Sequence, residues 1–276
     1  MSRPPSVLVL DLDGTTLTAD RRVAEVDLRA AERLIAAGVH VTIATGRLFT
    51  GTQWVAHALG VRGSVAVMNG SEVVDAHSGV ASLGRYLDGA ARRTIRELVA
   101  TLPVSAFLFE SRRIHYGSRA AEHAGYLAIW TEHLAEHADV FEAPPWEASE
   151  EVVAVGMTGP ADVIERTRGL LHEALPAEVE SVMFKTFDGH AFLKFRHAAE
   201  DKGTALARLA EERGFDASQC VAVGDWVNDI PMLKVAGRSF AMAHAREDVR
   251  AAAQEGLEAS RDGGAIAEVA RRVWGL

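Results

Sequence analysis

Three short apolar stretches of the chain end in residues able to do chemistry. Val7-Leu8-Val9-Leu10 runs into Asp11-Leu12-Asp13-Gly14-Thr15, His40-Val41-Thr42-Ile43-Ala44 into Thr45-Gly46-Arg47, and Val221-Ala222-Val223 into Gly224-Asp225. Asp11 and Asp13 are one residue apart, so a strand that continued regularly would place both carboxylates on one side of its sheet. Together with Asp225 and Asp229 they would repel strongly unless a cation neutralised them. Hard oxygen ligands of this kind point to magnesium rather than zinc. Gly14 permits a sharp turn that exposes backbone N–H groups, a setting suited to an anionic oxygen. A carboxylate-held metal beside an anion cradle fits phosphate-ester chemistry and leaves the ester itself open.

These residues can meet only if the elements carrying them converge. Val7 to Leu10, Val39 to Ala44, Val65 to Met68, Cys220 to Val223 and Ser239 to Met242 are apolar throughout, as strands covered on both faces are. Between them, Asp27 to Ala37, Arg47 to Leu59 and Lys202 to Arg213 have helical spacing, each followed by glycine, a common helix stop. Strand alternating with helix at both ends of the chain predicts one doubly wound parallel sheet, an α/β fold. In such a sheet the ligand lies beyond the carboxyl ends of the strands, where all three polar clusters fall.

The middle of the chain reads differently. Helical stretches at Asp88 to Leu102, Arg119 to His137 and Asp162 to Leu175 mix with strands at Val104 to Phe109 and Val152 to Met157. Val179 to Lys185 and His190 to Phe195 flank Asp188-Gly189, a hairpin signal that makes the pair antiparallel. The expectation is an inserted α+β domain over 83–195, interrupting a core built from 1–82 and 196–276.

Composition narrows the function. With 276 residues, 48% hydrophobic and 24% charged, the chain is ordinary globular protein, and its 38 acidic and 29 basic side chains leave a net charge of −9. That balance argues against a broad nucleic-acid footprint. One cysteine, Cys220, offers neither an intramolecular disulfide nor a cluster of zinc ligands. Val7 to Leu10 is too short for a signal-peptide core, and no run approaches the roughly 18 to 20 apolar residues of a membrane helix. A cytoplasmic protein without membrane contact is expected, as a monomer or small homo-oligomer.

The ordered set Asp11-Leu12-Asp13-Gly14-Thr15, Thr45-Gly46-Arg47, Asn69-Gly70, Asp201-Lys202-Gly203 and Gly224-Asp225-Trp226-Val227-Asn228-Asp229 resembles the haloacid dehalogenase superfamily of phosphohydrolases. It is most similar to the Cof-type branch, in which an α+β cap is inserted before the motif lysine. The resemblance implies Asp11 as the nucleophile of an aspartyl-phosphate route and Asp13 as general acid and base. It implies Mg2+ held by the Asp11 carboxylate, the Asp13 backbone carbonyl and Asp225, with Asp229 in support. Thr45, Lys202 and the N–H groups around Leu12 and Gly46 would bind phosphoryl oxygens, and Asn228 would help hold the phosphate or Lys202.

Some positions depart from the commonest pattern of that branch: Trp226 follows the motif aspartate, and His244 stands where asparagine is frequent. Neither replaces a catalytic atom. Arg196-His197-Ala198-Ala199-Glu200 before Lys202 is also less typical. One competing signal is His133-Leu134-Ala135-Glu136-His137, which matches the inverted zinc-peptidase pattern on an expected helix. It lies away from the strand-end carboxylates, on what reads as a solvated helix face.

The expected function is therefore a Mg2+-dependent phosphatase acting on a small-molecule phosphate ester, a sugar or polyol phosphate. A sugar phosphomutase and a catalytically silent phospho-ligand-binding regulator are the alternatives. Specificity is expected from the cap and core rim, with Arg47, Asn69, Glu72, Lys185, His190 and Lys194 as candidates.

Overall fold

The computed structural model describes residues 6–175, 177, 179–185 and 190–276. The chain divides into two compact units, the first comprising 1–46, 52–83 and 200–276, the second 47–51 and 84–199.

In the first unit five parallel strands form a sheet in the order Glu255–Gly256, Arg238–Ala241, Cys220–Gly224, Val7–Leu10, His40–Ile43. The two ends of the sequence thus build one sheet, with Leu10 opposite both Val223 and Ile43. All four residues of the central strand are buried, as a strand covered on both faces requires. Its Val7 and Val9 pack on one face with Ala205, Leu206 and Leu209 of helix Lys202–Glu211 and with Met232 and Leu233 of helix Ile230–Val235. Leu8 and Leu10 point to the opposite face. Ser64–Val67 touches the sheet through one parallel bridge, Ala44 to Ala66, and turns back into an antiparallel ribbon with Glu72–Asp75 and Ala81–Gly84.

A buried carboxylate closes this unit. Helix Ala265–Trp274 has no side-chain cap of its own. Asp27, in helix Glu25–Ala36, accepts from the N–H groups of Gly264 (2.7 Å) and Ala267 (3.0 Å) instead. Burial holds the Asp27 carboxyl above its ordinary value, although these N–H bonds pull it down.

The second unit is α+β. Its six strands run Val179–Lys185, Ala191–His197, Val152–Gly159, Ser105–Glu110, Ile114–Gly117, Leu134–His137. Neighbours are antiparallel except the last pair, which is parallel. Helices Gly89–Val99 and Ala161–Ala174 cover one face through Ile95, Val99, Ile164 and Leu171 against Leu108, Val155 and Leu193. Side chains alternate across a strand, so Phe107, Phe109 and Phe192 occupy the other face. There Phe107 stacks on Phe192 (5.7 Å between centroids) and Trp130 approaches the same ring (5.0 Å). Val179–Lys185 and Ala191–His197 pair as expected of a hairpin; its Asp188-Gly189 turn lies outside the described residues.

Two expectations need correction. The helix read over Arg119 to His137 does not form. Ser118–His123 is a 3-10 helix, Ala124–Leu127 a single α-turn, and Leu134–His137 a strand. Pairing along the open edge of Ile114–Gly117 overrides local propensity here. With the segment extended, His133 and His137 are separated by about 13 Å at roughly 3.3 Å per residue, too far to share a metal. The peptidase reading falls with the helix. The second correction concerns residues 47–51, which group with the second unit. The Leu48 N–H donates to the Trp130 carbonyl (3.2 Å), Thr50 and Thr131 share a hydroxyl bond (2.6 Å), and helix Phe49–Ala58 begins after Arg47.

Among the described residues, no helix is long and apolar enough to cross a membrane.

Replacing Asp27 by alanine removes the side-chain acceptor that Gly264 and Ala267 use at that helix start and is expected to cost about 1–3 kcal/mol in urea unfolding. Asp27→Asn keeps an acceptor and should lose less. Stability within about 0.5 kcal/mol of wild type in both variants would show that the carboxylate does not act as the cap.

Candidate active site

The central strand stops at Leu10 because the backbone turns there. The N–H groups of Thr15, Thr16 and Leu17 all donate to the Leu12 carbonyl (3.3, 3.0 and 2.8 Å), so the strand does not continue through Asp13. Asp11 is buried while Asp13 is exposed, and the turn rather than strand alternation sets their directions. Gly14 sits at φ 84°, in the left-handed region, and a Cβ there would collide with the Asp225 carboxylate. Turn geometry and close approach both require glycine.

The neighbouring strand ends join this turn through backbone bonds. The Asp11 N–H donates to the Val223 carbonyl (3.0 Å), Thr45 N–H to Ala66 (3.0 Å) and Asn69 N–H to Thr45 (2.8 Å). Thr45 is fully buried, and the Gly46 Cα faces the Asn69 side chain. Asn69, at φ 57°, accepts a hydrogen bond from Asn228 Nδ2 (2.8 Å). Two residues far apart in sequence, both candidates, are thereby brought together.

Lys202 is delivered by a helix start. Asp201 caps helix Lys202–Glu211, accepting from the N–H groups of Gly203 and Thr204 (2.8 Å each), while the Asp201 N–H donates to Thr204 Oγ1 (3.0 Å). A side chain at Gly203 would press on the Pro231 carbonyl, so glycine lets this helix approach the loop carrying Asp229. Lys202 Nζ then donates to Asp11 Oδ1 (2.5 Å) and Asp229 Oδ1 (2.6 Å), with the whole lysine side chain buried. The other Asp229 oxygen accepts from the N–H groups of Asp225 and Trp226 (2.9 Å each).

The electrostatics follow from burial. Asp11 is held well above the usual carboxylate range by burial and by the negative charges of Asp229 and Asp225, against the pull of Lys202. Burial alone would lower Lys202, but Asp11 and Asp229 overcome it and raise the ammonium above its ordinary value. Asp225 is raised by burial and by Asp229, with His244 opposing. Asp11, Asp225 and Asp229 offer carboxylate oxygens within 4.8 Å of one another. Three buried carboxylates beside one ammonium are an excess of negative charge made of hard oxygen donors, and that set fits Mg2+.

Glu72 is buried in the strand opposite Val67. Arg47, His190 and Lys194 belong to the second unit. Arg47 is buried and donates to the Gly51 carbonyl (3.3 Å), and the Lys194 ammonium lies 5.8 and 5.5 Å from the Phe109 and Trp130 ring centroids. The Lys185 side chain lies outside the described residues. Sequence reasoning gave no role to Thr15 or His244, yet both reach Asp225: Thr15 Oγ1 donates to Oδ1 and His244 Nε2 bonds Oδ2, each at 3.2 Å. The rule that located the other residues would have found His244, since it follows the end of a fourth parallel strand.

Comparison with known proteins places this architecture. Residues 8–269 match the haloacid dehalogenase-like hydrolase family, and the chain belongs to it. It is 29% identical to a phosphoglycolate phosphatase of Methanopyrus kandleri over 94% of this chain and 93% of that one. It is 25% identical to an HMP-PP phosphatase of Serratia proteamaculans over 85% and 82%. A haloacid dehalogenase-like hydrolase from Bacteroides thetaiotaomicron has the same fold, with a TM-score of 0.84 at 23% identity, covering 97% of this chain and 99% of its own. The protein is an enzyme of the Cof-type branch, a phosphoric monoester hydrolase with a parallel-sheet core and an α+β insertion.

Lys202→Met keeps most of the volume and removes the charge, leaving Asp11 and Asp229 buried without their ammonium. In EDTA this variant is expected to lose about 3 kcal/mol in urea denaturation. Stability equal to wild type would mean that the lysine does not neutralise the cluster.

Proposed function

We propose that the enzyme is a Mg2+-dependent phosphatase that hydrolyses a small sugar or polyol phosphate through an aspartyl-phosphate intermediate. The observation that carries this reading is the buried Asp11–Lys202–Asp229 arrangement beside Asp225, at the carboxyl ends of adjacent parallel strands. The phosphatase relatives named above support the small-ester class.

The Asp11 carboxylate, the Asp13 carbonyl and Asp225 would hold the metal, with Asp229 in support. Bound there, Mg2+ supplies positive charge between the nucleophile and the phosphoryl oxygens. Asp11 attacks phosphorus in line, the ester P–O bond breaks, and Asp13 gives its proton to the leaving oxygen. Asp13 then takes a proton from the water that attacks the aspartyl phosphate. The bond between phosphorus and Asp11 breaks, inorganic phosphate leaves, and the carboxylate is restored. The exposure of Asp13 suits an acid and base that must meet both leaving group and water.

Thr45, Lys202 and the N–H groups of Leu12 and Gly46 would hold the phosphoryl oxygens, and fixed donors of this kind favour the transition state. Asn228, tethered to Asn69, would align the phosphate or the lysine. Discrimination among esters we assign to the second unit, with Arg47, Lys185, His190 and Lys194 as candidates.

Purified enzyme with Mg2+ is expected to release inorganic phosphate from p-nitrophenyl phosphate and from members of a sugar and polyol phosphate panel. EDTA should abolish turnover and added Mg2+ restore it. Isomerisation of a hexose phosphate without phosphate release would instead mark a mutase. Asp11→Asn should lower turnover about a thousandfold or more while retaining the native circular dichroism spectrum. An active Asp11→Asn enzyme would remove Asp11 as nucleophile.

A further inference from the structure

We propose that His244 is a positioning residue that orients the Asp225 carboxylate for the divalent cation, an inference that rests on the metal-dependent reading above. Asp225 leaves its strand at Gly224, and its carboxylate has a soft terminal torsion that no strand geometry fixes. Its two oxygens are gripped from two directions. Thr15 Oγ1 donates to Oδ1 from the turn after the central strand, and His244 Nε2 bonds Oδ2 from the loop after strand Arg238–Ala241 (3.2 Å each).

The imidazole is arranged to donate. His244 Nδ1 is buried and has no hydrogen-bond partner among the described residues. A buried lone pair without a partner costs less than a buried N–H without one, so the proton belongs on Nε2, facing Asp225. Each carboxylate oxygen has two lone-pair sites, and one hydrogen bond on each leaves the others for a cation.

The loop carrying His244 is itself fixed against the Asp225 loop. The Met242 N–H donates to the Gly224 carbonyl (3.1 Å). Two residues past His244, the Arg246 guanidinium lies 5.8 Å from the Trp226 ring centroid and pairs with Asp248 (2.9 Å). Positions 226 and 244, both departures from the common pattern, thus belong to the same pair of loops. A donor held so firmly fixes the carboxylate before the cation arrives, and loss of such a support commonly weakens metal affinity 10- to 100-fold.

Calorimetric titration with Mg2+ tests this on wild type, His244→Ala, His244→Phe and His244→Gln, with apo melting temperatures recorded in EDTA. Phenylalanine fills the ring volume without a donor; glutamine places an amide N–H where Nε2 stands. We expect the Mg2+ Kd to rise about tenfold or more in His244→Ala and His244→Phe and to return to within about threefold of wild type in His244→Gln. A Kd within twofold of wild type in either donorless variant overturns the assignment, as does loss of apo stability alone with unchanged Kd. Wild type that binds no Mg2+ overturns the metal-dependent reading and this inference with it. Wild type that binds while His244→Phe binds equally well overturns only the role of His244.

Discussion

A buried ammonium between two carboxylates is the interaction on which the rest of the site depends. Lys202 could not remain charged in a fully buried position without Asp11 and Asp229, and those carboxylates could not remain close together without Lys202. The neighbouring structure serves this contact. The cap at Asp201 starts the helix that delivers the lysine, Gly203 lets that helix approach Pro231, and the turn 227–229 holds Asp229 with both oxygens engaged. Breaking any one of these leaves an uncompensated charge in a dry place, which costs more than the contact itself contributes.

One Lys202 positive charge does not balance three buried carboxylates, and the imbalance sits next to Asp225. Among the described residues, Thr15 and His244 reach Asp225 with their side chains. The protein therefore organises this carboxylate by hydrogen bonds from neighbouring loops.

Much of this was legible in the sequence, for an identifiable reason. A parallel strand buried on both faces must be apolar throughout, so Asp11, Thr45 and Asp225 stand out as interruptions at strand ends, and the sheet rule then places them together. Less legible was whatever depends on pairing between distant segments. Leu134–His137 has a composition that favours helix, and pairing with the edge of Ile114–Gly117 overrides it. Arg47 looked like part of the Thr45-Gly46 motif, but Leu48 and Thr50 bond to residues near Trp130. His244 reads as a variant in a loop until the loop is seen beside Asp225.

The register of the central strand has a consequence for how the chain is made. Val7–Leu10 meets His40–Ile43 early in synthesis, but its other neighbour, Cys220–Gly224, leaves the ribosome on the order of 200 residues later. At about 5–20 residues per second, that delay is roughly 10–40 s. Throughout it one edge of a wholly apolar strand has no native partner, whereas the second unit, apart from 47–51 a continuous segment, can complete its sheet first. The nascent amino-terminal segment therefore keeps one strand edge open to mispairing until the carboxyl-terminal strands emerge.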